Sequence, residues 1–170
     1  RREPSSMIKS APPPVTESSL FQRSLDLLNA VSPLRASFDD FTGVTLDYPQ
    51  LFLPVSHQIH SCPTCQHAKS TDKGQQDCAL NKHVTNRLAI RGQGRGFSGV
   101  CHLGLFDIVE PLKVRNTVLG VFYYGSVVIR EREAESRQKV LCYCKRRRME
   151  PSPYLEAWKT VPRISEAGIS

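Results

Sequence analysis

The chain has 170 residues, one domain's worth, and at 39% hydrophobic it holds enough apolar side chains for a single core. Its longest apolar run, Val118–Ile129, is broken by Gly120, Gly125 and Ser126 and is too short to span a bilayer, so no membrane partner is expected. Lys and Arg outnumber Asp and Glu by 23 to 16, but the surplus comes without a helix-turn-helix, a paired C₂H₂ spacing or an aromatic RNP-like strand. The densest basic cluster, "CKRRR" at residues 144–148, reads as a solvated helix end whose cations offset the dipole. No specific nucleic-acid binding is therefore expected of this chain.

Residues 1–15 carry Pro4 and the run Pro12–Pro14 with little to bury, which predicts a disordered tail or linker ahead of one domain over residues 16–170. From Thr16 a helix is expected, with Phe21, Leu25 and Leu28 on one stripe widened by Leu20, Leu27 and Val31. Ser32–Pro33 suits the start of a second helix, along which Leu34, Phe38 and Phe41 sit at helical spacing until Thr42–Gly43 stop it. Two short strands, Val44–Tyr48 and Leu51–Val55, should follow, hinged at Pro49–Gln50.

The polar stretch Ser61–Gly74 opens the cysteine region, and a helix from about Lys73 to Ile90 carries Cys78, Leu80, Val84 and Leu88. "GQGRG" at residues 92–96 is a flexible turn; without GxGxxG spacing or a preceding strand it is not a phosphate loop. Three strands come next, Phe97–His102, Leu105–Val114 and Val118–Ile129. Residues 130–148 are charged and helical, acidic early and basic late. Ser152–Pro153 opens a last short helix, "YLEAWK", ended by Val161–Pro162. This order predicts an α+β fold, a five-stranded antiparallel sheet flanked by helices.

There are six cysteines: Cys62, Cys65, Cys78, Cys101, Cys142 and Cys144. Arg1–Arg2 are not followed by a signal-peptide apolar stretch, so a cytoplasmic location with reduced thiols is expected. The chain begins with Arg1 and is expected to be part of something larger. Cys62-x₂-Cys65, with Cys78 and Cys101 further on and His60, His67 and His102 alongside, offers the soft ligands zinc prefers. A full zinc ribbon would show a second CxxC, and thioredoxin-like chemistry would place the CxxC in a βαβ unit. A metal set of Cys62, Cys65, Cys78 and Cys101, a redox role and plain buried thiols all remain open on spacing. Cys142 and Cys144, at i and i+2 of a helix, point to different faces and do not form a shared site.

Cys65, the segment "STDKGQQDC" ending at Cys78, then "CHLGLFDIVEPLKV" and "VLGVFYYGSVV", resemble the PocR sensory-domain family. The Cys–His–x–Gly–Leu run at Cys101–Leu105 is the most specific part, and "RMEPSPYLEAWKTVPRIS" is similar to the family's closing helices. The resemblance covers roughly residues 18–168, and Cys62 is an addition to its pattern. It implies a PAS-like fold that binds small molecules such as short diols, alcohols or simple hydrocarbon derivatives. It also implies a bacterial transcription or signal-transduction regulator, with an AraC-type DNA-binding domain or a histidine kinase as output.

A small ligand must be recognised by a few polar groups in an apolar shell. The candidates are Cys101 and His102 at a strand end, Phe106, Asp107 and Glu110 on the next strand, and Phe122, Tyr123 and Tyr124 on the last. Strand alternation lets only some of these face one cavity. Gly104 would let the backbone bend close to it. No Ser–His–Asp order, HExxH or paired carboxylates appear, so no enzyme activity is expected. Two readings stand: a ligand-binding sensor, and a cysteine-based metal-binding or redox-responsive module. In the first, the helices Thr16–Val31 and Arg130–Arg148 are the expected dimer or output contacts.

Overall fold

The computed structural model describes residues 18–168; the expected tail at residues 1–15 lies outside them. The elements are α1 (Leu20–Val31), β1 (Arg35–Asp40), α2 (Val44–Asp47), α3 (Pro63–Lys69), α4 (Asp72–Arg91), β2 (Phe97–Val100), β3 (Phe106–Val114), β4 (Thr117–Ile129), α5 (Glu133–Arg147), α6 (Pro151–Lys159) and β5 (Arg163–Ile164). Four strands form an antiparallel sheet in the order β1-β4-β3-β2, and β5 joins the end of β4 in parallel at Val128 and Ile129. The fold is α+β and PAS-like, an open five-stranded sheet with six helices.

Period-2 alternation along β4 divides its side chains between two cores. Phe122 and Tyr124 face α1, where Leu25, Ala36, Phe38 and Leu53 are buried. Val121 and Tyr123 face α4, with Val109 and Ala89. A third core joins α3, α5 and α6 around Leu105, Val128, Val140, Tyr143 and Trp158. The sheet is thus covered on one face by α1 and partly on the other by α4.

Helix starts follow the expected capping chemistry. Ser19 accepts a hydrogen bond from the Gln22 amide at 2.9 Å and Thr71 from Gly74 at 3.1 Å. Helix α5 has Glu133 and Glu135 in its first turn and Lys145–Arg147 in its last, as the dipole favours.

Two expectations are corrected. The helix predicted from Ser32 through Leu34, Phe38 and Phe41 is strand β1. Alternation, not helical spacing, governs it: Ala36 and Phe38 face α1, with Ser37 between them and Asp39, the next residue, bonded to α4. At Ala36 the strand's outer edge is met by Asn29, whose side chain accepts from the Ala36 amide at 2.6 Å and donates to its carbonyl at 3.2 Å. The strands predicted at Val44–Tyr48 and Leu51–Val55 are helix α2 and the 3-10 turns Pro49–Leu51 and Val55–His57. Pro49 and Pro54 lack the amide a sheet ladder needs. Two elements, α3 and β5, carried no periodic signal.

The Asp40 carboxylate explains α2. It accepts from the amides of Thr42 and Gly43 at 2.9 Å each, and from the amide and hydroxyl of Thr45 at 2.7 Å each. Burial works to raise its pKa, but these hydrogen bonds outweigh burial and hold the carboxyl below its ordinary range. A depressed carboxyl contributes stability that is complete above its unfolded pKa of about 4 and is lost as pH falls through the folded value. Replacing Asp40→Asn should therefore flatten the fall in stability below about pH 4 seen in denaturant melts. An identical acid limb in the two proteins would show that Asp40 is not responsible.

Candidate functional site

Helix α4 does not close fully on the sheet. Between them lies a cleft of about 710 Å³, bounded at one end by α3 and the Ile59–His60 segment. Its walls are mainly apolar: Val84 and Leu88 from α4, Phe97, Val100 and Val109 from the sheet, and Leu103 from the loop after β2. Polar groups enter at intervals, namely His60, Lys69, Lys82, Cys101, His102, Asp107 and Tyr123. A second, smaller cavity of about 330 Å³ shares the Ile59–His60 segment with it and is lined by Asn29, Arg35, Ser37 and His57, among others.

Of the ligand-binding candidates, the structure brings Cys101, His102, Asp107 and Tyr123 together in the cleft wall. Phe106, Glu110, Phe122 and Tyr124 lie outside that lining. Phe122 and Tyr124 pack under α1, with Phe122 against Phe21 and Phe38. Glu110 is paired opposite Phe122 and is exposed, and Phe106 precedes a register shift at Asp107. Alternation accounts for this division.

Gly104 turns the chain back into β3 with φ +79°, and the Gly104 amide bonds to the Cys101 carbonyl at 3.0 Å. The turn leaves Cys101 and His102 on the cleft side, sends Leu105 into the core and lets Leu103 border both. The His102 Nε2 lies 3.9 Å from Cys78 Sγ, its ring packs on Tyr143, and Nδ1 is buried without a partner within the protein. Burial, more than any neighbour, pushes the His102 pKa down. It is a neutral imidazole at neutral pH, able to donate at one nitrogen and accept at the other.

Asp107 has a second duty. The register shift beside it leaves Ser126 at φ +56°, and the Asp107 carboxylate accepts from the Ser126 amide at 2.8 Å. His60 Nδ1 stands 4.0 Å from the same carboxylate, and its ring meets Tyr123 edge-on at 4.9 Å. Burial alone would lower the His60 pKa, but Asp107 and Cys65 outweigh it and raise it. The Tyr123 hydroxyl donates to Asn86 on α4, whose amide donates to Asp39 at 2.5 Å. Asp39 in turn pairs with Lys82 at 2.9 Å. This chain fixes α4 to the sheet across one end of the cleft.

The cysteines divide into three groups. Cys62 caps α3 and sits beside Cys65, with the two sulfurs 3.2 Å apart. Cys65, Cys78 and Cys101 reach the cleft wall, while Cys62 lies behind it. Cys142 is exposed and Cys144 buried, on different faces of α5. The hydrogen bond from Cys65 lowers the Cys62 pKa against the effect of burial, and the same bond, followed by burial, raises that of Cys65. Burial pushes Cys78 up to about 11 and raises Cys101 strongly. Among the described residues, no three His, Cys, Asp or Glu side chains are grouped so as to hold a metal ion.

Lys69, Lys82, Thr85 and Asn86 were not legible as site residues. For Lys82 and Thr85 the signal that could have found them is helical: with Cys78 they are spaced four and three apart, on one face of α4.

The fold is thus α+β and PAS-like, with a ligand-sized cleft between helix and sheet. The family model described as "Sensory domain found in PocR" matches residues 19–170, nearly the whole chain, and the chain belongs to that family. No curated protein and no solved structure matched it. Among the described residues, no helix is long and apolar enough to cross a membrane.

Proposed function

We propose that the chain binds a small organic ligand in the cleft between α4 and the β2–β3–β4 face, and that it serves as the sensor of a bacterial transcription or signalling regulator. The observation that carries this reading is the cleft itself, where apolar walls meet Cys101, His102, Asp107 and Tyr123. Its volume falls in the range that encloses drug-sized molecules. Of the classes the family suggests, a hydrocarbon derivative with an apolar body fills it better than a three-carbon diol. The neutral His102 is suited to a ligand hydroxyl or carbonyl, a bond strengthened where apolar walls exclude water.

Ligand held between α4 and the sheet would favour the arrangement in which those elements are closest, a shift of population between two states. Helix α1 is the contact we assign to a second copy or an output domain. It carries Leu20, Leu27 and Val31 on one outward stripe, each at least 65% exposed.

A thermal-shift screen with diols, alcohols, aldehydes and aromatic acids tests the reading. A ligand present at a hundredfold over its Kd should stabilise the protein by about 2.7 kcal/mol. Ala79→Trp, at an exposed α4 position lining the cleft, should abolish that shift while the free protein folds normally. His102→Ala should weaken binding by about 1–3 kcal/mol, the usual cost of losing one buried polar partner. A ligand whose shift survives Ala79→Trp binds elsewhere, and the cleft would lose its role.

A further inference from the structure

Six cysteines are free in this fold, yet only one pair of them stands in sulfur-to-sulfur contact. Cys62 Sγ and Cys65 Sγ are 3.2 Å apart, and both residues are 5% exposed. The local chain fixes this arrangement. Cys62 is the N-cap of α3 at φ −63° and ψ 157°, Pro63 follows as the first helical residue, and the Cys65 amide donates to Cys62 Sγ at 3.4 Å. The three-residue spacing that suits an N-cap therefore brings the two sulfurs together on one turn. A disulfide of about 2.0 Å asks them to approach by only about 1 Å.

Cys78 and Cys101 pack against the same core cluster as the pair, but neither stands in sulfur-to-sulfur contact with it. Cys78 lies against His102, Cys144 is buried on the inner face of α5, and Cys142 is exposed on another face of that helix. The pair is also reachable, because Cys65 forms part of the cleft wall while Cys62 sits behind it. Two sulfurs fall short of the four soft ligands a tetrahedral metal takes.

We propose that Cys62 and Cys65 are an oxidation site: a dithiol in the cleft wall that a small hydroperoxide converts to an intramolecular disulfide. The chemistry balances with hydrogen peroxide as oxidant. One sulfur of the pair attacks a peroxide oxygen, breaking the O–O bond to give a sulfenic acid and a hydroxide that leaves as water with the thiol proton. The second sulfur attacks the first, the S–O bond breaks, and the departing hydroxide leaves as a second water with the second thiol's proton. Two thiols are oxidised, one peroxide is reduced, and two waters are formed. Because one of the bonded sulfurs belongs to the cleft wall, the disulfide alters the surface that a ligand meets.

The experiment uses the full chain with Cys142→Ser, so that the exposed thiol cannot link two molecules. After hydrogen peroxide treatment, intact mass should fall by two hydrogens and the free-thiol count by two, and dithiothreitol should reverse both. Peptide mapping should place the bond between Cys62 and Cys65. Cys62→Ser keeps a preferred N-cap residue at the start of α3 and so preserves the fold; in that variant the loss of two hydrogens should vanish. Cys78→Ser and Cys101→Ser should keep it. An unchanged mass, gain of oxygen without a disulfide, or a bond mapped to Cys78 or Cys101 would each overturn the assignment. None of these readouts depends on what the cleft binds, so failure here leaves the ligand-sensing reading to its own test.

Discussion

Replacing Gly104 by alanine should cost about 2–5 kcal/mol of stability. Gly104 adopts φ +79°, where an L side chain pays about 1–2 kcal/mol in backbone strain. A Cβ there would also stand 2.5 Å from the Ser136 carbonyl oxygen and 2.9 Å from its Cα, and backbone cannot swing aside as a side chain can. Relieving such a clash adds about 1–3 kcal/mol. The contact is close for a reason: the Ser136 hydroxyl donates to the Gly104 carbonyl at 2.7 Å and accepts from Trp158 Nε1 at 2.9 Å. One serine thereby ties α5, α6 and the turn bearing Cys101 and His102 into a single buried unit. Chemical denaturation measures the effect, with Gly99→Ala as a control, since nothing lies within 4 Å of a Cβ there. A Gly104→Ala midpoint equal to the control's would refute the argument.

The second large effect should come from Phe38. It is 1% exposed, with ring centroids 5.3 Å from Phe21 and 4.8 Å from Phe122. Removing the ring takes the centre out of the core that holds α1 to the sheet, and Phe38→Ala should cost about 3–5 kcal/mol. Leu27, on the same helix but 65% exposed, should change stability by less than about 0.5 kcal/mol when truncated. If the two substitutions cost the same in urea melts, α1 is not docked through this aromatic cluster.

Phe38 also shows where sequence reading loses its grip. Leu34, Phe38 and Phe41 recur at helical spacing, so a strand of only six residues was hidden beneath a helical pattern. What decides the matter is tertiary: a partner strand on one side and the Asn29 amide on the other. The long C-terminal strands were legible because their apolar runs are too extended to read otherwise. Helix α3, at seven residues, and β5, at two, are shorter than any period can declare. In the candidate site, the Cys101–Leu105 run forms a turn at Gly104, and alternation along β3 and β4 foretold that only part of the candidate set would share one cavity. The contribution of α4 was not foretold, because it depends on which face of a polar helix the sheet happens to meet.

The edges of the sheet carry a consequence for how molecules of this protein meet one another. A bare strand edge invites a neighbour to extend the ladder, the route by which folded proteins stack and precipitate. Here the Asn29 side chain occupies the rung at Ala36 on the β1 edge, and β2 at the opposite edge offers only four residues. Neither side presents a long run of vacant amides. Self-association by strand addition is thus discouraged from both directions.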